Sequence, residues 1–360
     1  ALLSGNLAQI KRGDCSPGRT TEIAALLMYG VGAAVASGYA IEGIAVGGVV
    51  AVLLHWKRPL HQFVDRIGQG EFRGIMHFVL IALVILPVLP NRTFDRYDVL
   101  NPFKIWLMVV LIVGISLAAY VAYRLMGARV GSILGGVLGG LISSMATTVS
   151  YARQSRGDPK SAPMAALVIL IASTIVNVRL LFEVGVVAPR LLVAAAPPLL
   201  AMMALMAVLC LLLFLRVGPS VAGNPLHKDP SQIRVALVFG ALYAVVLFAV
   251  AVTKDLWGTE GMFVLAAISG LTDVDAISLS AAALFDADQI TAETAWRIVL
   301  IASLSNLVVK AGAVAMLGSR RLLAYVAVLF GISLLGGGAI LAFWPQDAWA
   351  TWIVPYTQGH

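Results

Sequence analysis

The chain has 360 residues, 60% of them hydrophobic and 12% charged, with a mean hydropathy of +0.93. Soluble domains carry roughly 25% charged residues and cannot bury this much apolar surface, so a water-soluble globular fold is excluded. A net charge of +7 would point to nucleic acid in a soluble protein; here loop Lys and Arg set orientation, so the expected partner is the lipid bilayer and not nucleic acid.

In chain order, the start ALLSG lacks Met and the basic region of a signal peptide, and reads as the tail of an upstream apolar helix. Three apolar segments follow, at 22–38, 41–55 and 75–89. Between the last two, HWKRPLHQFVDRIGQGEFRG puts Trp56, Leu60, Phe63, Val64 and Ile67 on one face. That pattern predicts an interfacial helix over 56–70 on the cytoplasmic surface, where Trp and basic residues are favoured. Later apolar runs are long enough to span a bilayer as helices. The alternation of an outer-membrane barrel is absent. Cys15 and Cys210 are far apart and indicate no disulfide framework.

From Asn101 the chain repeats itself at an offset of about 130 residues. GGLISSMATTVS from Gly139 lies over SGLTDVDAISLS from Ser269, pairing Gly140 with Gly270, Leu141 with Leu271, Ala146 with Ala276 and Ser150 with Ser280. Downstream, LIAS from Leu170 returns as LIAS from Leu300, and Arg190 pairs with Arg320. The organisation is therefore an N-terminal membrane region (1–100), repeat 1 (101–216) and repeat 2 (231–345).

Each repeat reads as one spanning helix, a Gly/Ser/Thr-rich segment, and two further spanning helices. If that segment crosses fully, the copies are parallel; if it enters and returns, each copy has three crossings and the two are inverted. Loop charge discriminates. In repeat 1 the segment is flanked by YRLMGAR and ARQSRGDPK, both basic, and in repeat 2 by TKDLWGTEG and FDADQITAE, acidic on balance. The same-side reading puts the basic flanks inside and the acidic flanks outside. The expected fold is thus an all-α, multi-pass integral membrane bundle of about nine spanning helices plus two re-entrant or broken hairpins, arranged as an inverted repeat.

Inverted repeats place substrate sites near the midplane, where interrupted helices present polar groups. The first segment carries Ser143, Ser144, Thr147 and Thr148 behind glycines spaced four apart; close helix packing accounts for the glycines better than for the hydroxyls. The second carries Thr272, Asp273, Asp275 and Ser278. A carboxylate at the bilayer centre costs roughly 2.5–3.5 kcal/mol and marks a functional site. The alternative is a solvated loop tip in which Asp273 caps the next helix. Asn177 and Asn306 add polar groups on the following helices, with Arg179 and Lys310. These cations suit an anionic substrate, or serve as counter-ions to Asp273 and Asp275. Equally, Arg179 can pair with Glu183 one turn on, and Lys310 can snorkel.

Asp273 and Asp275 are the candidate metal ligands, and their oxygen chemistry suits Mg, Mn, Na or a proton. The five His residues are scattered, so no zinc or copper site is visible. No Walker motif, HExxH or second acidic helix occurs, so neither an ATP-driven pump nor an enzyme is expected, and no catalytic residue is assigned.

SPGRTTEIAALLMYGVGAAVASG followed by VGGVVAVLLHWKRPLHQF resembles the membrane part of MgtC/SapB-like proteins. There a Gly-Leu-Arg-Thr turn is usual; here Gly18, Arg19, Thr20 and Thr21 stand in its place. The stretch from NPFKIWLMVV through GGLISSMATTVSYARQSR resembles the membrane domain often fused C-terminally to that family. The resemblance implies magnesium physiology only loosely. The resulting expectation is a bacterial inner-membrane transporter or channel for a cation (Mg or another hard divalent, or Na/H-coupled) bound between the repeats, with Mg or Na as cargo, no other cofactor, and a homo-oligomer admitted. A non-transporting regulator of other membrane proteins, or a carrier of an anionic substrate using Arg179 and Lys310, is the alternative.

Overall fold

The computed structural model describes residues 19–55, 69–126, 132–217 and 233–345. All regular structure among them is helical, and the chain divides into two compact units, Ala1–Gln69 and Gly70–His360. In the first unit, α1 (Arg19–Ala36) and α2 (Ala40–His55) form a helical pair turned at Gly38, whose φ of 98° suits glycine. Residues 56–68, where the interfacial helix is expected, lie outside the described residues, as does Cys15.

The second unit opens with α3 (Gln69–Val79), which widens into a π turn (Leu80–Ile85) and ends in a 3-10 turn (Leu86–Val88). Trp106 Nε1 donates to Ile81 O at 3.0 Å, anchoring this irregular stretch to α4 (Pro102–Met126). Then follow α5 (Ser132–Gly157), α6 (Ala162–Val187), α7 (Pro189–Val217), α8 (Ile233–Thr272), α9 (Val274–Asp286), α10 (Ala292–Leu317) and α11 (Arg320–Phe343). Seven helices among the described residues are long and apolar enough to cross a membrane, and Ile23–Ala36 and Phe72–Val88 are shorter apolar helices. The protein is a multi-pass helical membrane protein.

One of the seven, α5, does not run straight. Ser143 is extended (φ −168°, ψ 103°) and divides it into arms 132–142 and 144–157. A Cβ on Gly139 would lie 2.6 Å from Thr147 Oγ1, and one on Gly135 3.7 Å from the Tyr151 hydroxyl. Residues eight apart in a straight helix are about 12 Å apart. These pairs straddle Ser143 evenly, so the arms lie side by side as a hairpin. The arms are about 16 and 21 Å long, short of the roughly 30 Å hydrocarbon core, so the hairpin enters and returns.

The second copy breaks at the equivalent residue. Asp273 is extended (φ −153°, ψ 120°) between α8 and α9, and α8 is itself interrupted at Gly258 (φ 62°, ψ −153°). Its arms are therefore 259–272 and 274–286. The helices α6 and α10 begin and end at the repeat offset. A Cβ on Gly140 would lie 2.7 Å from Ala172 O, and one on Gly270 2.5 Å from Ala302 O, so each hairpin's first arm packs on its neighbour's backbone at the same point.

The helices α6 and α10 cross antiparallel: Lys310 Nζ donates to Ser173 Oγ (3.2 Å), and Ser303 Oγ to Asn177 Oδ1 (2.9 Å). Partner helices of a parallel repeat would run the same way, so this crossing is the signature of an inverted pair. Loops gather accordingly. At one end Ser319 N donates to Ser155 Oγ (3.1 Å), beside Lys160, Arg216 and Arg321. At the other, Arg190 lies 3.8 Å from Asp286 and 3.6 Å from Asp288, and Gln289 Nε2 donates to Tyr97 O (3.4 Å).

Candidate functional site

At each tip an extended residue ends one short helix and caps the next. Ser143 Oγ accepts the Ala146 N–H (3.2 Å), and Asp273 Oδ1 accepts the Asp275 N–H (2.8 Å). Each tip thereby sets a helix N-terminus, with its partial positive charge, inside the protein. Asp273 caps as the loop-tip reading proposed, yet its tip is no solvated loop: Asp273 is half-buried and Asp275 buried.

Arg179 of α6 ties the tips together. Its Nη1 donates to Leu141 O (3.4 Å) at the first tip, its Nη2 pairs with Asp275 at the second, and its Nε lies 3.3 Å from Glu183 Oε1. All three charged groups are buried. Charges so placed persist only when paired, which explains why one guanidinium engages two carboxylates. The helical pairing with Glu183 and the counter-ion role toward Asp275 thus coexist.

A cavity of about 650 Å³ opens against the tips. Ser143, Ser144, Thr272, Asp273, Asp275, Arg179 and Asn306 line it, with Ser116 of α4, and it extends along the first hairpin's second arm past Ser150 to Arg153. Among the described residues Asp275 Oδ1 and Asn306 Oδ1, of two wall residues, have no hydrogen-bond partner, nor has Ser278 Oγ in α9. Among the described residues no three His, Cys, Asp or Glu side chains gather as a metal cluster.

Residues 110–318 match the family described as a domain of unknown function, DUF4010. The chain belongs to that family. A protein of Aquifex aeolicus (strain VF5), described as an uncharacterized protein, is 28% identical over 184 residues, or 51% of this chain and 80% of the relative. No solved structure matches the chain. The family stretch contains both hairpins and every charged residue of the site. It overlaps the stretch from NPFKIWLMVV through GGLISSMATTVSYARQSR, whereas the MgtC/SapB-like N-terminal motif lies before it.

The remaining sequence-predicted residues stand behind the cavity wall. Thr147 and Thr148 donate to Ser143 O (2.9 Å) and Ser144 O (2.8 Å), bracing the first turn after the tip. Asn177 and Lys310 belong to the α6–α10 crossing. Lys310 is 1% exposed, so it does not snorkel; it reaches Ser173, and no carboxylate lies within ion-pair distance of it among the described residues. Ser173 and Ser303 were not singled out from sequence. They are the serines of the two LIAS motifs, whose alanines, Ala172 and Ala302, receive Gly140 and Gly270. The duplicated motif was the available signal.

Proposed function

We propose that this protein is a cation transporter of a bacterial inner membrane, whose inverted halves expose a site between the hairpin tips to one side at a time. One observation carries the reading: a cavity of about 650 Å³ meets both hairpin tips and runs from them along the first hairpin to Arg153. At the repeat offset, Val109 corresponds to Phe239, Tyr243 to Val113, Val246 to Ser116, Val176 to Asn306, and Leu279 and Ser280 to Val149 and Ser150. Leu279, Ser280 and Val176 are buried where Val149, Ser150 and Asn306 are partly exposed, so the two halves differ along the second arm and at Asn306. The two halves thus pack differently around the tips, and exchanging the two packings would move the opening to the other side, as alternating access requires. The cavity runs to Arg153 near the foot of the first hairpin, where Lys160, Arg216 and Arg321 converge, and the positive-inside rule assigns that end to the cytoplasm.

A cation suits the lining better than an anion does. Arg179 is already matched by Asp275 and Glu183, which leaves Asp273 at the tips, and Arg153 at the far end, as the cavity charges without an ion-pair partner among the described residues. Of the unpartnered buried atoms of wall residues, Asp275 Oδ1 and Asn306 Oδ1 are acceptors, and the donor Arg179 Nε lies 3.3 Å from Glu183 Oε1. Oxygen donors without a third acid suit a hard cation or proton in transit. Asp273→Asn tests this cleanly, because Asn caps a helix as well as Asp does. In proteoliposomes assayed with Mg, Na and pH-sensitive dyes, the variant should lose at least tenfold in flux, about 1.4 kcal/mol. Parent-like flux in the variant would remove Asp273 from the site, and a parent inert to all three ions would overturn cation transport.

A further inference from the structure

A second cavity, of about 540 Å³, lies at the basic end between the foot of the first hairpin, the start of α6, the end of α7 and the start of α11. Lys160, Arg216 and Arg321 converge on it with Gln154 and Tyr325. No carboxylate lies within ion-pair distance of the three cations among the described residues. The one acid on its wall, Asp158, caps the 3-10 turn that follows, its Oδ1 accepting the Lys160 backbone N–H at 3.0 Å. The chamber does not end at the charged residues. Through Leu213, Arg216, Arg321 and Tyr325 it joins a groove of about 510 Å³ between α7 and α11, which is lined by Leu209, Leu212, Val328, Leu329 and Ile332.

We propose that this compound cavity is a binding site for one anionic phospholipid, with its phosphate held by Lys160, Arg216 and Arg321 and an acyl chain lying in the groove. Two features select a lipid over a free anion. The charged chamber and the apolar groove adjoin, sharing four lining side chains, so one ligand with both characters suits both. From Arg321 to Ile332 the helix advances about 16 Å, and half of a roughly 30 Å hydrocarbon core is about 15 Å, so the groove runs the depth of one leaflet. Charge selects an anionic headgroup over a zwitterionic one, and basic pockets between spanning helices on the cytoplasmic side hold such headgroups. The site is separate from the hairpin-tip cavity, and the proposal stands whatever the transported species.

The test uses the full chain, delipidated in a neutral detergent and titrated with phosphatidylglycerol or phosphatidylcholine, with retained lipid read by native mass spectrometry. Phosphatidylglycerol should be retained at least tenfold better than phosphatidylcholine. The Arg216→Gln/Arg321→Gln pair should abolish that preference, Arg216→Lys/Arg321→Lys should keep it, and Arg92→Gln/Arg96→Gln, which removes the same charge at the other end, should leave it intact. Leu212→Trp, at an exposed groove position, should weaken retention with every charge in place and serves if the arginine variant fails to fold. Equal retention of the two lipids, or parent-like retention by the Gln pair or by Leu212→Trp, would overturn the site. Inorganic phosphate displacing phosphatidylglycerol at equal concentration would overturn the lipid and leave an anion pocket.

Discussion

Arg179 shows how far residue types and spacing reach. Its four-residue separation from Glu183 makes that pairing legible in sequence, and the cost of carboxylates at the midplane makes a cationic partner for Asp275 an expectation. That one guanidinium serves both, while Lys310 is left with Ser173, depends on where helices distant in sequence meet. Truncating a single member of a buried ion pair costs about 3–5 kcal/mol, because the partner stays charged and unpaired. Arg179→Met should therefore destabilise severely, and Asp275→Leu comparably. The double variant should recover part of the loss, since the stranded charge goes with its partner, while Glu183 still limits the recovery. Unfolding titrations of the four proteins in micelles, read as a double-mutant cycle, check this; strict additivity would show that the pair is not coupled.

For the hairpins, the sequence supplied the breakpoints only as a region. Glycines, hydroxyls and carboxylates marked the segments, but their length was equally compatible with crossing the bilayer. The contacts of Gly139 with Thr147 and of Gly135 with Tyr151 decide for a fold-back, and they are side-by-side contacts between arms that no local pattern encodes. The glycines facing the LIAS helices follow the same physics. At Gly140 and Gly270 an added methyl group meets a backbone carbonyl that cannot swing aside, an overpacking cost of about 1–3 kcal/mol. That exceeds the roughly 1 kcal/mol that Ala gains over Gly in a helix. Gly140→Ala and Gly270→Ala should both lower the thermal midpoint. Gly312→Ala, with nothing within 4 Å of the added atom, should leave the midpoint unchanged or raise it. A drop for Gly312→Ala as large as for the other two would mean that packing at the hairpins is not the cause.

At the scale of the molecule, the repeat register was the most legible feature, and the limits of α6 and α10 follow it. Loop charge set the basic flanks of the first hairpin and the acidic flanks of the second at opposite ends, and the contacts add Ser319 to the end of Ser155 and Arg190 to the end of Asp286. Which hairpin the cavity would follow was not legible, because both hairpins carry similar small and polar residues and the difference lies in helix packing. Gly157 and Ala287 are repeat equivalents and both are exposed, at opposite ends. In a background lacking Cys15 and Cys210, Gly157→Cys should react with an impermeant maleimide from the cytoplasmic side, and Ala287→Cys from the opposite side. Labelling of both from one side would rule out the inverted arrangement.

The sharing of Arg179 between the halves also orders events during synthesis. The helix α6 leaves the ribosome carrying Arg179 and Glu183 one turn apart, a neutral pair that can enter the bilayer without its other partner. Asp275 is made 96 residues later, about 5–20 s at ordinary elongation rates. Of the two carboxylates that Arg179 meets in the finished site, only Glu183 has been made throughout that interval. The first half thus carries its own partner for Arg179 and the second hairpin brings the other, so the ion pairing is complete only when both halves have been made.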